Sequence, residues 1–464
     1  MHSRLLFSVP VMEFFKSRFF KQPRLDMQGG TTTHPVLENA PQTPTNQFSL
    51  LPGATPQRRS PSVNAIATVQ KADNRSGRSC LPREVEEILS RQGAAPTQLE
   101  QIAQLTREIE GLNEYKKLVT TALANNEEPD GTSMNPSDIR YAPHIVAMKN
   151  AKNKDLHLLY FRDPDDLAAI IEKNCKISKT EHGSEIRFIA LVNIKGERRA
   201  ASTKPTNDHS EPHHVIIDVC IKNGKASLIA LDPISLVNDI PKYAALNLEN
   251  SITRYKLNAV FSYICVGTQQ SRADCPVFCM TFADKIYAKR ARFNEIHEKQ
   301  RKAPDRKDKI KDIFGYNIMP FSDTLLKTWN DVGEIQRHEH AVYVTPDGRH
   351  FLDIEFYKHI NSRRRFQELI NGRPEATSQP VNGKGQTLEA RVSEHFLEIP
   401  RIISRFDEKK GEWISLSSTA SNSIEKKRLL YVEKAITFFE GLKHMLEEEV
   451  KEAKGATEAS DKKM

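Results

Sequence analysis

Apolar residues recur every three or four positions at Leu99, Ile102, Leu105, Ile109, Leu112 and Tyr115, the spacing that lines one face of an α-helix. Thr97 followed by Glu100 is a capping-box signature, so this amphipathic helix is expected to start near Pro96. A second helix is expected around Leu167 to Lys173. The period then changes. IRFIALVNI (186–194), HVIIDVCI (214–221), ASLIAL (226–231) and NAVFSYICV (258–266) are short β-branched or alternating runs bounded by Asn-Gly and Pro, and they read as strands. Asn223-Gly224 between the second and third predicts a hairpin. Helix resumes from Pro276, and near the C-terminus Leu429, Val432, Ile436, Phe439 and Leu442 share a face of another helix, whose EEEVKEAKGATEASDKKM tail is expected to fray. No internal repeat is visible.

Upstream of the first helix the periodicity disappears. Six prolines fall between Pro35 and Pro61 amid Thr, Ser, Asn and Gln, and such a segment buries too little apolar area to offset its ordering entropy. It is expected to be disordered. Leu5 to Phe15 is apolar, but Pro10 and Glu13 interrupt it and no small-residue cleavage site follows, so it makes a poor Sec signal. No window approaches the ~18 to 20 apolar residues of a membrane helix.

The chain has 464 residues, with 68 Lys plus Arg against 60 Asp plus Glu, a net charge of +8. Apolar residues make up 38% and charged residues 28%, enough for one solid core beside much solvated surface. The six cysteines are too thinly spread for a disulfide framework and include no CxxC pair for zinc, which suits a reducing compartment. The basic run at 289–311, ten Lys or Arg against four acids, reads as a solvated helix and loop.

Candidate chemistry gathers on Cys275, in TQQSRADCPVF, after a strand and a polar loop and with Pro276 suited to the first turn of a helix. A thiol there feels the positive end of the helix dipole, which favours the thiolate nucleophile. The ordinary alternative is a small core residue. The polar lead-in of Gln269, Gln270, Ser271, Arg272 and Asp274 argues against it. His213 opens one strand of the predicted hairpin and Asp232 closes the other, so both lie at one end of it. They are suited to act as a base and its orienting acid. Cys279, four residues after Cys275, reads as packed core.

HHVIIDVCIKNGKASLIALDP together with GTQQSRADCPVFCMTFADKIYA resembles the YopJ family of bacterial type III effector acyltransferases, whose catalytic core is similar to that of Ulp1-like cysteine proteases. The resemblance extends to DIRYAPHIVAMKNAKNKDLHLLY, FYKHINSRRRFQELI and VNGKGQTLEARV, covering about residues 135 to 392. It implies a catalytic triad of His213, rather than His214, with Asp232 and Cys275, and a glutamine, Gln269, that helps form the oxyanion hole. Many relatives carry Gly after the cysteine. Pro276 here removes one N–H donor.

The same resemblance implies a ping-pong acetyl transfer from acetyl-CoA through Cys275 to Ser, Thr or Lys of host target proteins such as kinases or immune-signalling components. It implies inositol hexakisphosphate as activator, Lys358 as an autoacetylation candidate, and His359, Arg363, Arg364 and Arg365 as ligands of the inositol phosphate or CoA. No acid interrupts residues 358 to 365, as a site for clustered phosphates requires. A type III-secreted protein that acts in the host cell is expected, with no transmembrane segment. The expected fold is α+β: a papain/Ulp1-like cysteine catalytic core with helical N- and C-terminal regulatory segments and a disordered N-terminus. Its parts are a leader at 1–80, a helical segment at 81–134, the core at 135–300, a charged insertion at 301–344 and a C-terminal segment at 345–464. A cysteine protease of ubiquitin-like modifiers uses the same residues with water as acceptor and is the alternative. A non-enzymatic phosphoinositide or nucleic-acid binder is a third reading.

Overall fold

The computed structural model describes residues 83–89, 97–125, 131–180, 184–195, 212–234, 239–269, 271, 274–302, 319–320, 342–345, 352–407 and 412–461. The expected leader and most of the expected charged insertion lie outside these residues.

At the centre is a mixed sheet in the order β1-β2-β3-β4-β5-β7-β6. Its strands are β1 (Leu158–Phe161), β2 (Glu185–Lys195), β3 (Pro212–Lys222), β4 (Lys225–Ile234), β5 (Ala259–Gln269), β6 (Met319–Pro320) and β7 (Val342–Thr345). The four predicted strands are present, each extended by a few residues. β3 and β4 form the antiparallel hairpin, with Lys222 opposite Lys225. Asn223 (φ 52°) and Gly224 (φ 73°) supply the left-handed backbone that a two-residue hairpin turn demands.

Both faces of the sheet are covered, which explains why its strands read as near-continuous apolar runs. One face carries Phe188, Ala190, Val192, Val215, Ile217 and Ala230 against α4 (Pro164–Thr180) and α5 (Asp239–Arg254). Ile189, Leu191, Ile216, Ile229, Leu231 and Ile264 join the core of the opposite face, where α6 (Cys275–Ala288) packs on β3 and β4. α7 (Arg290–Lys302) also packs on β4. The basic run is therefore more than a solvated helix. Phe293, Ile296, His297 and Gln300 are buried, and the His297 ring bonds Ser227 Oγ at 2.9 Å from Nδ1.

The N-terminal helices are α1 (Arg83–Leu89), α2 (Gln98–Ala124) and α3 (Gly131–Lys152). The α2 capping box forms as predicted: the Thr97 side chain accepts from the Glu100 backbone, and the Glu100 carboxylate accepts from the Thr97 N–H at 2.7 Å. Leu105, Ile109, Leu112 and Tyr115 are buried, whereas Leu99 is 60% exposed. α3 was not foreseen. It contains Pro136 and Pro143, which normally break a helix, and its tertiary contacts with α2, α1 and the long C-terminal helix override that preference.

Beyond β7 come α8 (Arg363–Gly372), α9 (Leu388–His395), the hairpin β8 (Phe396–Asp407) with β9 (Glu412–Ser421), and α10 (Ser423–Asp461). α10 buries Val432, Ile436, Phe439, Leu442 and Leu446, with Leu429 partly buried, and lies along α2 and α3. Its helix continues to Asp461 instead of fraying after Leu446, since alternating acids and lysines such as Glu448 and Lys451, 2.7 Å apart, suit a solvated helix. The N- and C-terminal helices thus form one layer beside the sheet. This is the expected α+β organisation.

Candidate active site

Cys275 is the first residue of α6, buried at 3% exposure. His213 stands at the start of β3 and Asp232 near the end of β4, brought to the same end of the hairpin by the register that sets Ile216 opposite Leu231. His213 Nδ1 lies 3.3 Å from Cys275 Sγ, and His213 Nε2 lies 2.7 Å from Asp232 Oδ2. Asp232 Oδ1 accepts from the Ile234 N–H at 2.8 Å. Burial disfavours a charged His213 imidazole, but the Asp232 carboxylate and the Cys275 sulfur outweigh it and raise the ring to about 10. The arrangement favours the protonated His213 imidazolium.

The neighbouring His214 has the opposite character. Burial, helped by the charge of His213, depresses it to about 3, and its carbonyl accepts from Cys279 Sγ at 3.3 Å. Cys279 is the buried core thiol that the sequence suggested.

Gln269 reaches the sulfur through a local irregularity. Asp232 pairs with Cys265 but Ile234 pairs with Gln269, so β5 bulges between them. Gly267 within the bulge has φ 71°, a left-handed conformation that glycine adopts without penalty. A bulge of this kind re-aims a side chain. Gln269 Nε2 donates to Cys275 Sγ at 3.1 Å and to the Ser271 carbonyl at 2.7 Å.

Tyr263 was missed by sequence reasoning. From β5 its hydroxyl donates to Asp232 Oδ2, and the only sequence signal is a tyrosine two residues before Cys265, the β5 partner of Asp232. Burial first, and then the Asp232 charge, hold the Tyr263 phenol well above its ordinary range.

The basic residues beyond β7 divide into two groups. Arg364 and Arg365 both pair with Glu368, at 2.9 and 2.6 Å, so the acid-free run ends one helical turn too soon to leave them unpaired. Arg363 stacks over the Phe396 ring at 6.0 Å. Lys358 and His359 fall elsewhere, beside Lys285 of α6, Arg391 of α9 and Lys427 of α10. Burial, reinforced by Lys358, lowers Lys285 to about 7. Burial lowers Lys427 to about 8, with Lys149 and Lys358 adding to it and Asp284 opposing. Burial followed by the charge of Arg391 also lowers Lys358. Among the described residues no carboxylate comes within ion-pairing distance of these three ammonium groups. His359 is buried, neutral and bonded through Nδ1 to Ser423 Oγ at 2.8 Å, and Arg391 Nη2 donates to the same hydroxyl at 3.0 Å. The sequence hid this group because its members lie on four separate elements.

A family model described as YopJ serine/threonine acetyltransferase matches residues 112–434. The chain belongs to that family. The serine/threonine-protein acetyltransferase YopJ of Yersinia pestis is 25% identical over 300 residues, covering 64% of this chain and 82% of its own length. A serine/threonine-protein acetyltransferase of Sinorhizobium fredii is 26% identical over 188 residues, covering 40% of this chain and 64% of its own. Among solved structures, HopZ1a in complex with IP6 and CoA matches with a TM-score of 0.49 and 17% identity, over 72% of this chain and 98% of that one. AvrA delL154 with IP6 and CoA matches with a TM-score of 0.47 and 19% identity, over 71% and 98%.

Proposed function

We propose that this chain is a protein acetyltransferase that carries acetyl from acetyl-CoA, through a Cys275 acetyl-enzyme, to Ser, Thr or Lys of host proteins. The observation that carries the reading is the linear contact of Cys275 Sγ, His213 and Asp232 in a chain of the YopJ family.

In the first half-reaction Cys275 Sγ attacks the thioester carbonyl carbon. The tetrahedral intermediate collapses with loss of the CoA sulfur, which takes a proton from the His213 imidazolium. In the second, neutral His213 removes the proton of an acceptor hydroxyl or amine as it attacks the acetyl-Cys275 carbonyl, and the Cys275 thiolate leaves. Asp232 holds the ring with Nδ1 toward the sulfur. Gln269 Nε2 and the Cys275 N–H are the donors for the oxyanion; Pro276 contributes none, so the hole must be completed without it.

Lys285, Lys358, Arg391 and Lys427 offer a partly desolvated concentration of positive charge suited to clustered phosphates. We assign to it inositol hexakisphosphate as activator, or the phosphates of CoA, with His359 holding Ser423 behind it. Arg363, Arg364 and Arg365 form a separate group, Arg364 and Arg365 being paired with Glu368, and are not assigned to this polyanion. Delivery into a host cell through type III secretion and action on host signalling proteins follow from family membership and remain part of this proposal.

The test is incubation of the purified full chain with labelled acetyl-CoA and a host-cell protein extract, with and without inositol hexakisphosphate, and mass spectrometry of the products. Label on Cys275 and on substrate hydroxyls or amines, lost in Cys275→Ala, is expected. Absence of any label, together with covalent capture by a ubiquitin or SUMO probe, would replace the reading with the protease.

A further inference from the structure

Asp274 precedes the nucleophile and occupies the N-cap of α6, yet its side chain makes no capping bond. The N-caps of α2, α8 and α9, which are Thr97, Ser362 and Thr387, all do. Aspartate is among the preferred capping residues, and a negative charge at a helix N-terminus is favourable. The backbone of Asp274 is αR (φ −97°, ψ 0°), unlike the extended backbone of those three caps, and its carboxylate is engaged elsewhere.

The holder is Arg428. Its Nη2 donates to Asp274 Oδ1 at 2.6 Å, while Asp274 Oδ2 accepts from the Ser271 hydroxyl and, at 3.4 Å, from Asn361 Nδ2. Arg428 is fully buried in the first turns of α10. It also grips both oxygens of Asp138 on α3 at 3.1 Å and pairs with Glu425. The Tyr115 hydroxyl of α2 donates to Asp138 as well. One guanidinium thus joins α2, α3, α10 and the turn that carries Cys275. A buried arginine is tolerated only when its charge is matched, and its planar fork of five donors can meet several carboxylates in fixed directions, which the compact ammonium of lysine does not. Burial raises Asp138 to about 6, with the Arg428 charge opposing the shift and Asp274 adding to it.

We propose that Arg428 is a positioning residue for the reaction: it keeps Asp274 off the N-terminus of α6 and locks the turn before Cys275 to the N- and C-terminal helices. The proposal rests on Cys275 as nucleophile. With Pro276 lacking an N–H, the free cap target for Asp274 is the Val277 N–H. A carboxylate placed there opposes thiolate formation and spends the positive helix end that should serve the reacting thioester. Around the sulfur itself stand His213, Gln269 and the Cys279 thiol, with Asp232 behind His213; loss of Arg428 would also unpair Asp138 and Glu425, but of the three carboxylates Asp274 is the one adjacent to Cys275 in the chain.

The experiment measures the rate of Cys275 alkylation by iodoacetamide at pH 7 in the full chain, by peptide mass spectrometry, beside kcat/KM for acetyl transfer. Arg428→Gln should slow alkylation about tenfold and transfer at least as much. Adding Asp274→Asn to Arg428→Gln should restore alkylation to within about threefold of the parent, because the released charge is gone although the guanidinium is still absent. Arg428→Lys should fall between. A folded Arg428→Gln that alkylates at the parent rate, or a double variant no faster than the single, overturns the proposal. Should Arg428→Gln fail to fold, Arg428→Lys with and without Asp274→Asn decides: slower alkylation in Arg428→Lys that Asp274→Asn restores supports the proposal, and a parent rate in Arg428→Lys or no restoration overturns it. Failure of the nucleophile assignment shows separately, as transfer that persists in Cys275→Ala.

Discussion

The Tyr263 hydroxyl donates a hydrogen bond to Asp232 Oδ2, the same oxygen that meets His213 Nε2. Because burial and the Asp232 charge keep the phenol protonated far above neutral pH, Tyr263 is a permanent donor that holds the carboxylate in line with the imidazole. A hydrogen bond to a charged group contributes about 1.5–3 kcal/mol. Tyr263→Phe should accordingly lower kcat for acetyl transfer about 10- to 100-fold while circular dichroism stays unchanged. Equal kcat values for the two proteins would remove Tyr263 from the mechanism.

Asp232 and Gln269 separate orientation from charge stabilisation. Asp232→Asn keeps the shape but loses the anion that fixes the His213 tautomer, and about a 10³-fold or larger drop in transfer is expected. Gln269→Ala removes a donor aimed at the reacting centre and should cost about 10²-fold, with Cys275 alkylation reduced far less than transfer. Parallel losses in alkylation and transfer would assign Gln269 to the thiol rather than to the oxyanion.

The site was legible where its chemistry was local. Cys275 before a proline, and His213 and Asp232 at the open end of one Asn-Gly hairpin, are sequence patterns whose geometry follows from strand pairing. Gln269 was legible only through the family resemblance, since its reach depends on the β5 bulge at Gly267. Tyr263 and Arg428 were not legible. Each is an unremarkable residue inside an element, and its role depends on partners such as Asp138, 290 residues from Arg428. In the fold, strand patterns read well because both sheet faces are buried. α3 was concealed by Pro136 and Pro143, and the inner face of α7 by the charge around Phe293 and Ile296.

Gly111 shows how closely the N-terminal helices pack. A methyl group built at this position would stand 2.1 Å from the Tyr141 hydroxyl oxygen, and Tyr141 is itself stacked on Tyr115 at 5.4 Å. Gly111→Ala gains about 1 kcal/mol of helix propensity, but forcing the tyrosine aside should cost about 1–3 kcal/mol. A net loss of stability is expected in urea unfolding. Because Tyr115 also donates to Asp138, transfer should fall with it, and a variant of unchanged midpoint and activity would show that Tyr141 moves freely.

The depressed lysines give polyanion binding a defined proton linkage. Free Lys285 and Lys427 titrate near 7 and 8 because burial and neighbouring cations disfavour their charge. Bound phosphates reverse that balance and favour the ammonium forms. At pH 8 most of Lys285 and half of Lys427 are deprotonated, so binding should take up about 1.4 protons, and affinity should weaken as pH rises from 7 to 9. Isothermal titration calorimetry with inositol hexakisphosphate in buffers of different ionisation enthalpy measures the uptake directly. Lys285→Met should abolish most of it, and Arg364→Gln, whose guanidinium already pairs with Glu368, should leave it intact. Proton release, or uptake unchanged in Lys285→Met, would move the polyanion away from this cluster.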